Sequence, residues 1–82
     1  MMYERADKEV LGKDIKIGDY LVNQTNGILK VEQIGTLEGK VYFEGPSTIG
    51  AQMQYVAALS ESIGQSGIYR INKFIGMARL WR

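Results

Sequence analysis

Residues 17–43 read IGDYLVNQTNGILKVEQIGTLEGKVYF, three apolar runs separated by two turn signals, which is the pattern of an antiparallel meander. Ile17-Gly18-Asp19-Tyr20-Leu21-Val22 is the first run, opened by its own turn. Asn26-Gly27 marks a tight hairpin, because both residues tolerate the positive φ of a two-residue connection. Ile28-Leu29-Lys30-Val31-Glu32-Gln33-Ile34 returns, Gly35 to Gly39 turns again, and Lys40-Val41-Tyr42-Phe43 follows. Pairing across Asn26-Gly27 sets Val22 against Val31 and Gln24 against Leu29. That register groups Tyr20, Val22, Leu29 and Val31 on one face, the expected core side, and Leu21, Asn23, Lys30 and Glu32 on the other. A four-residue connection leaves the grouping unchanged, since side chains alternate with period two.

Outward from the meander, Gly45-Pro46 ends it, because proline cannot continue a central strand. Ser47 or Thr48 is placed to cap a helix running to Ile63, with Gly64 as its stop. Ile49, Met53, Val56 and Ile63 fall on one face of that helix over 48–63. A strand is the rival reading, since Met53-Gln54-Tyr55-Val56 partly alternates, but the alanine, glutamine, methionine and leucine content favours helix. Gly64-Gln65-Ser66-Gly67 reads as a turn, Ile68 to Ile75 as a β-branched and aromatic strand, and Met77 to Trp81 as a last short strand. Residues 1–12 carry mixed charges and few apolar positions and read as either a helical turn or a loosely held arm. The expected architecture is a single strand-rich α+β domain spanning 1–82.

The runs Ile17-Gly18-Asp19-Tyr20-Leu21-Val22, Asn26-Gly27-Ile28-Leu29-Lys30-Val31 and Val41-Tyr42-Phe43 resemble those of the SH3-like small barrels. In many of these a Gly-Asp turn introduces one strand and a glycine turn leads to the next. The resemblance covers about a third of the chain and implies an SH3-like, partly open barrel. A helix over 48–63 departs from the simple barrel, in which a short turn joins the last strands. The superfold hosts nucleic-acid binders and peptide binders alike, so it implies no single function.

The chain has 82 residues, 45% hydrophobic and 23% charged, the composition of an ordinary globular domain. It has no apolar run long enough to cross a membrane and no signal-peptide pattern, and its lack of cysteine fits a reducing compartment; a cytoplasmic setting without membrane contact is expected. The absence of histidine and cysteine removes the commonest general base, the thiolate nucleophile and most transition-metal sites. Asp14 and Asp19 flank a turn, where aspartate commonly bonds its own backbone. No enzyme and no cofactor are therefore expected. Gly45-Pro46-Ser47-Thr48-Ile49-Gly50 has the two-glycine spacing of a phosphate loop, but Ala51 and Gln52 stand where that motif needs lysine and a hydroxyl. Gly64-Gln65-Ser66-Gly67 has the shape of the KH-domain loop, yet its interior is neutral.

The net charge is +1, unevenly spread. Residues 1–45 carry six basic and eight acidic side chains, whereas 63–82 carry Arg70, Lys73, Arg79 and Arg82 and no acid. These four cations interleave with Tyr69, Phe74 and Trp81, a pattern suited to phosphate pairing and base stacking. Tyr69, Arg70, Lys73, Arg79, Trp81 and Arg82 are thus the candidate nucleic-acid contacts. The bland reading makes Ile68, Ile71, Phe74, Ile75 and Leu80 core strand residues and the aromatics structural. Two functions follow: a small non-enzymatic nucleic-acid-binding module, or a protein-interaction module (an adaptor, inhibitor or accessory factor of phage or plasmid type, or a homo-oligomer). The second rests on the near-neutral charge and on apolar Leu21, Ile28 and Ile34 on an unclosed sheet.

Overall fold

The polypeptide from Gly27 to Leu37 is one extended ribbon that serves two sheets in turn. In the computed structural model, which describes residues 6–23, 27–48 and 50–71, its first part is β3 (Gly27–Lys30) and its second is β4 (Gln33–Leu37). β3 pairs with β2 (Tyr20–Asn23), which pairs in turn with β7 (Ile68–Ile71), and β7 with the two-residue β1 (Ala6–Asp7). β4 pairs with β5 (Lys40–Pro46), and β5 with β6 (Gln52–Ala58). The result is a four-stranded sheet in the order β1-β7-β2-β3 and a three-stranded sheet in the order β4-β5-β6, with every pairing antiparallel.

The change of partner falls at Val31 and Glu32. Val31 donates its N–H to the Asp19 carbonyl and accepts from Gly18 N–H, continuing the β2 side. One residue later, Glu32 N–H donates to the Glu44 carbonyl of β5 at 2.8 Å. The two sheets so joined sandwich a core of Ile15, Leu21, Leu29, Val31, Val41, Phe43, Tyr55, Ala57, Ile63 and Ile68. Where β5 crosses the ribbon, Gly45 lies so close that a Cβ would stand 1.7 Å from the Lys30 carbonyl oxygen. Only glycine permits that approach. No ladder closes the two sheets into a barrel among the described residues; β3 and the end of β5 meet through a single bridge, Leu29 to Ser47.

Three expectations are corrected. The helix over 48–63 is absent: residues 52–58 form β6, whose seven residues all pair with β5. Burial there alternates, with Tyr55 and Ala57 inward and Gln54 and Val56 outward, so period-two packing against β5 overrides the helix propensity of alanine and glutamine. The only helical turns among the described residues are short 3-10 pieces at Gly12–Asp14 and Ile63–Ser66. The domain is accordingly mostly β rather than α+β.

Second, the hairpin register differs. Leu21 faces Leu29, Val22 faces Ile28 and Asn23 faces Gly27, which, at φ 81°, begins the return strand. An odd shift exchanges faces. Leu21 joins Leu29 and Val31 in the main core, while Tyr20 and Val22 lie on the opposite face with Ile28 and Ile71. Third, Gly35 is a strand residue; the turn is confined to Glu38 and Gly39, both with positive φ.

Two further ties brace the molecule. The Tyr55 hydroxyl donates to the Gly27 carbonyl, joining β6 to the start of β3. In the β5–β6 connection Ser47 donates both N–H and Oγ–H to the Ala51 carbonyl, and Thr48 N–H donates to Ile28 O at 2.9 Å. Ser47 thus closes a hairpin loop rather than capping a helix. Residues 8–13 lie against 59–64: Gly12 N–H donates to Glu61 O, Lys13 N–H to Leu59 O, Ile63 N–H to Val10 O and Gly64 N–H to Lys8 O. No helix among the described residues is long and apolar enough to cross a membrane.

Candidate functional site

β4 stands at the outer edge of its sheet, with β5 on one side and no strand among the described residues on the other. In an antiparallel pair every second residue of each strand turns its N–H and C=O away from the partner. The far side of β4 is therefore a row of backbone donors and acceptors that no strand among the described residues takes up. Along it runs an open groove of ≈ 590 Å³, lined by every residue from Glu32 to Leu37 together with Ile17, Tyr42 and Glu44. Consecutive strand residues point to opposite faces. The groove runs the length of β4 and takes in both the strand's outer side, where Ile17 lines it, and the face that Gln33 and Gly35 share with Glu44 and Tyr42 of β5.

Local sequence explains the shape. Ile17, in the turn before β2, forms the opposite wall; it is 62% exposed, and Leu37 at the end of β4 is 60% exposed. Gly35 pairs with Tyr42 and has nothing within 4 Å of where a Cβ would stand, so the glycine leaves the Tyr42 side of the groove open. Glu44 faces Gln33 across the ladder, and its carboxylate accepts a hydrogen bond from Gln54 Nε2 at 2.8 Å. The lining contains two carboxylates, Glu32 and Glu44, and no lysine or arginine. Gln33 to Leu37 include no charged residue and no proline, the usual means of blunting an exposed edge.

The residues singled out from the sequence fare differently. Arg70 Nη2 lies 3.1 Å from Asp7 Oδ2 and Nη1 lies 4.0 Å from Asp19 Oδ2. Its guanidinium is thus occupied by two carboxylates of its own fold. Tyr69 pairs with Val22 on β2 and packs against the Val22–Ile28–Ile71 cluster, with Lys8 Nζ 5.4 Å from its ring centroid. Lys73, Arg79, Trp81 and Arg82 lie outside the described residues, as does the strand read over 77–81. Asp19 Oδ2 accepts the Lys16 N–H at 2.9 Å, the turn duty its position implies. The edge groove lies outside the residues the sequence points to: Ile34, expected to be an exposed apolar position, is half-buried against the main core, and the signal for the groove is the uncharged strand running through Gly35.

Tyr55 is the described titratable group with a displaced equilibrium: burial raises its hydroxyl above the ordinary tyrosine value, against the opposing effect of a backbone hydrogen bond with Asn23. No group of three or more acidic residues placed to hold a metal ion occurs among the described residues. No family model, curated protein or solved structure matches the chain.

Proposed function

We propose that this chain is a non-enzymatic protein-interaction module, built on an SH3-like small barrel left partly open, which takes up a segment of a partner protein in the groove beside β4. The observation that carries the reading is the conjunction of a strand edge left unpaired among the described residues with a groove lined by exposed Ile17 and Leu37. Apolar side chains on a groove's rim lose water contact when a partner chain fills it, which supplies a driving force. The SH3-like reading draws support from the ribbon shared by two sheets and from the short 3-10 turn at Ile63–Ser66 that leads into the last described strand, β6 standing where a helix would have departed from the simple barrel. The interaction reading is preferred to the nucleic-acid one because Arg70 is committed to Asp7 and Asp19 and the groove lining is acidic.

A peptide-display selection tests the proposal. Peptides enriched on the wild-type chain are expected to lose binding to Ile17→Asp and Leu37→Asp variants that retain the wild-type circular dichroism spectrum. Enriched peptides that bind those variants unchanged would refute the site.

A further inference from the structure

We infer that the occupant of the groove is an extended, basic-flanked polypeptide segment that adds to β4 as a further strand, forming backbone hydrogen bonds along its free edge. This rests on the reading above and specifies how the groove is filled and by what chemistry.

Three observations converge. The groove runs the length of β4 from Glu32 to Leu37, with Ile17 beside its outer side, so an extended segment lying in it runs along β4 while its side chains reach Tyr42 and Glu44 on the sheet face. Five strand residues span roughly 17 Å, room for a partner strand of similar length. The edge is uncharged, yet Glu32 lies at its start, Glu44 lines the groove and Glu38 sits in the turn at its far end, with Lys40 on the β5 side of that turn and outside the groove lining. A segment with lysine or arginine at both ends and small apolar residues between them complements that distribution. The β4 edge of a second copy does not. Its own residues 31–39 hold Glu32 and Glu38 and no cation, so edge-to-edge pairing of two β4 strands would bring like charges into one groove.

Calorimetric titration with synthetic peptides decides the matter. The probe is a short capped peptide alternating valine and threonine with lysine at each end. Its comparators are a glutamate-ended counterpart and two versions N-methylated at alternate residues, one on the odd set and one on the even. In strand addition only one set of amides faces β4. One methylated peptide should therefore lose affinity by about tenfold or more while the other keeps it, the loss of two or more backbone hydrogen bonds. The lysine-ended peptide should bind at least about tenfold more tightly than the glutamate-ended one at about 50 mM salt, with the gap narrowing as salt rises.

Equal affinity of the two methylated peptides overturns strand addition. Equal affinity of lysine and glutamate ends overturns the charge preference, and failure of the lysine-ended peptide to bind overturns both. A dimer in sedimentation equilibrium that dissociates on adding Thr36→Pro also overturns the inference, in favour of a second copy. The failure of the broader reading looks different: peptides would still bind, but Ile17→Asp would leave their affinity unchanged.

Discussion

Glu38 adopts φ 53° beside Gly39 at φ 80°, so a glutamate occupies a left-handed position in a two-residue hairpin turn. Its Cβ crowds the backbone there, whereas asparagine tolerates that region. Glu38→Asn is expected to raise stability by about 0.5–1 kcal/mol, seen as a higher urea midpoint at unchanged slope. Tyr55 makes the opposite case. Its hydroxyl is the partner of the Gly27 carbonyl, so Tyr55→Phe should cost about 1 kcal/mol. The same residue gives stability a pH signature. Because the folded value lies above the unfolded 10.0, the contribution is whole below pH 10 and is lost as pH rises through the raised folded value. Alkaline melting curves should show that extra decline in wild type and lack it in Tyr55→Phe.

Two glycines on neighbouring strands separate close approach from ordinary strand weakness. Gly45→Ala drives a methyl into the Lys30 carbonyl and should cost about 3 kcal/mol or more, the upper range for overpacking. Gly35→Ala meets nothing and should stabilise β4 by roughly 0.5–1 kcal/mol, through lower backbone entropy in the unfolded chain. Chemical denaturation of both variants checks the contrast. The runs 17–22, 28–34, 40–43 and 68–75 read as strands because each is β-rich and bounded by turn residues, and they overlap 20–23, 27–30, 40–46 and 68–71; that the run 28–34 divides between two sheets depends on hydrogen-bond partners the sequence does not show. β6 was not, because Gln52 to Ala58 is made of residues whose local preference is helical and whose strand state depends on seven pairings with β5. The faces of the hairpin were not legible either, since they depend on whether the connection has an odd or even number of residues. Nor was the groove: nothing in Gln33 to Leu37 says that one side of that strand lacks a neighbour. Pro46 is the last residue of β5 rather than lying beyond it, at a position that pairs with Gln52 of β6 after the pairing with β4 has ended at Glu44.

At the scale of the molecule, the segment 8–13 laces the chain's opening to the stretch between β6 and β7 through four backbone hydrogen bonds. Removing residues 1–13 should cost roughly 2–6 kcal/mol at ordinary values per bond, read as a large fall in melting temperature. Arg70→Ala is expected to cost no more than about 0.5 kcal/mol, because its ion pairs are partly exposed. The shared ribbon has a wider effect. Since Gly27 to Leu37 is structural in both sheets, one sheet cannot melt while the other keeps its edge. The two halves should therefore behave as a single cooperative unit, with methyl signals of Leu21 in one sheet and Val41 in the other vanishing at the same denaturant concentration. That cooperativity carries a kinetic burden. β2 must wait for β7, made more than forty residues later in the chain, before the first sheet has its central strand. Folding of this small domain should accordingly be slow for its length, limited by the meeting of distant strands rather than by the hairpin that announces them.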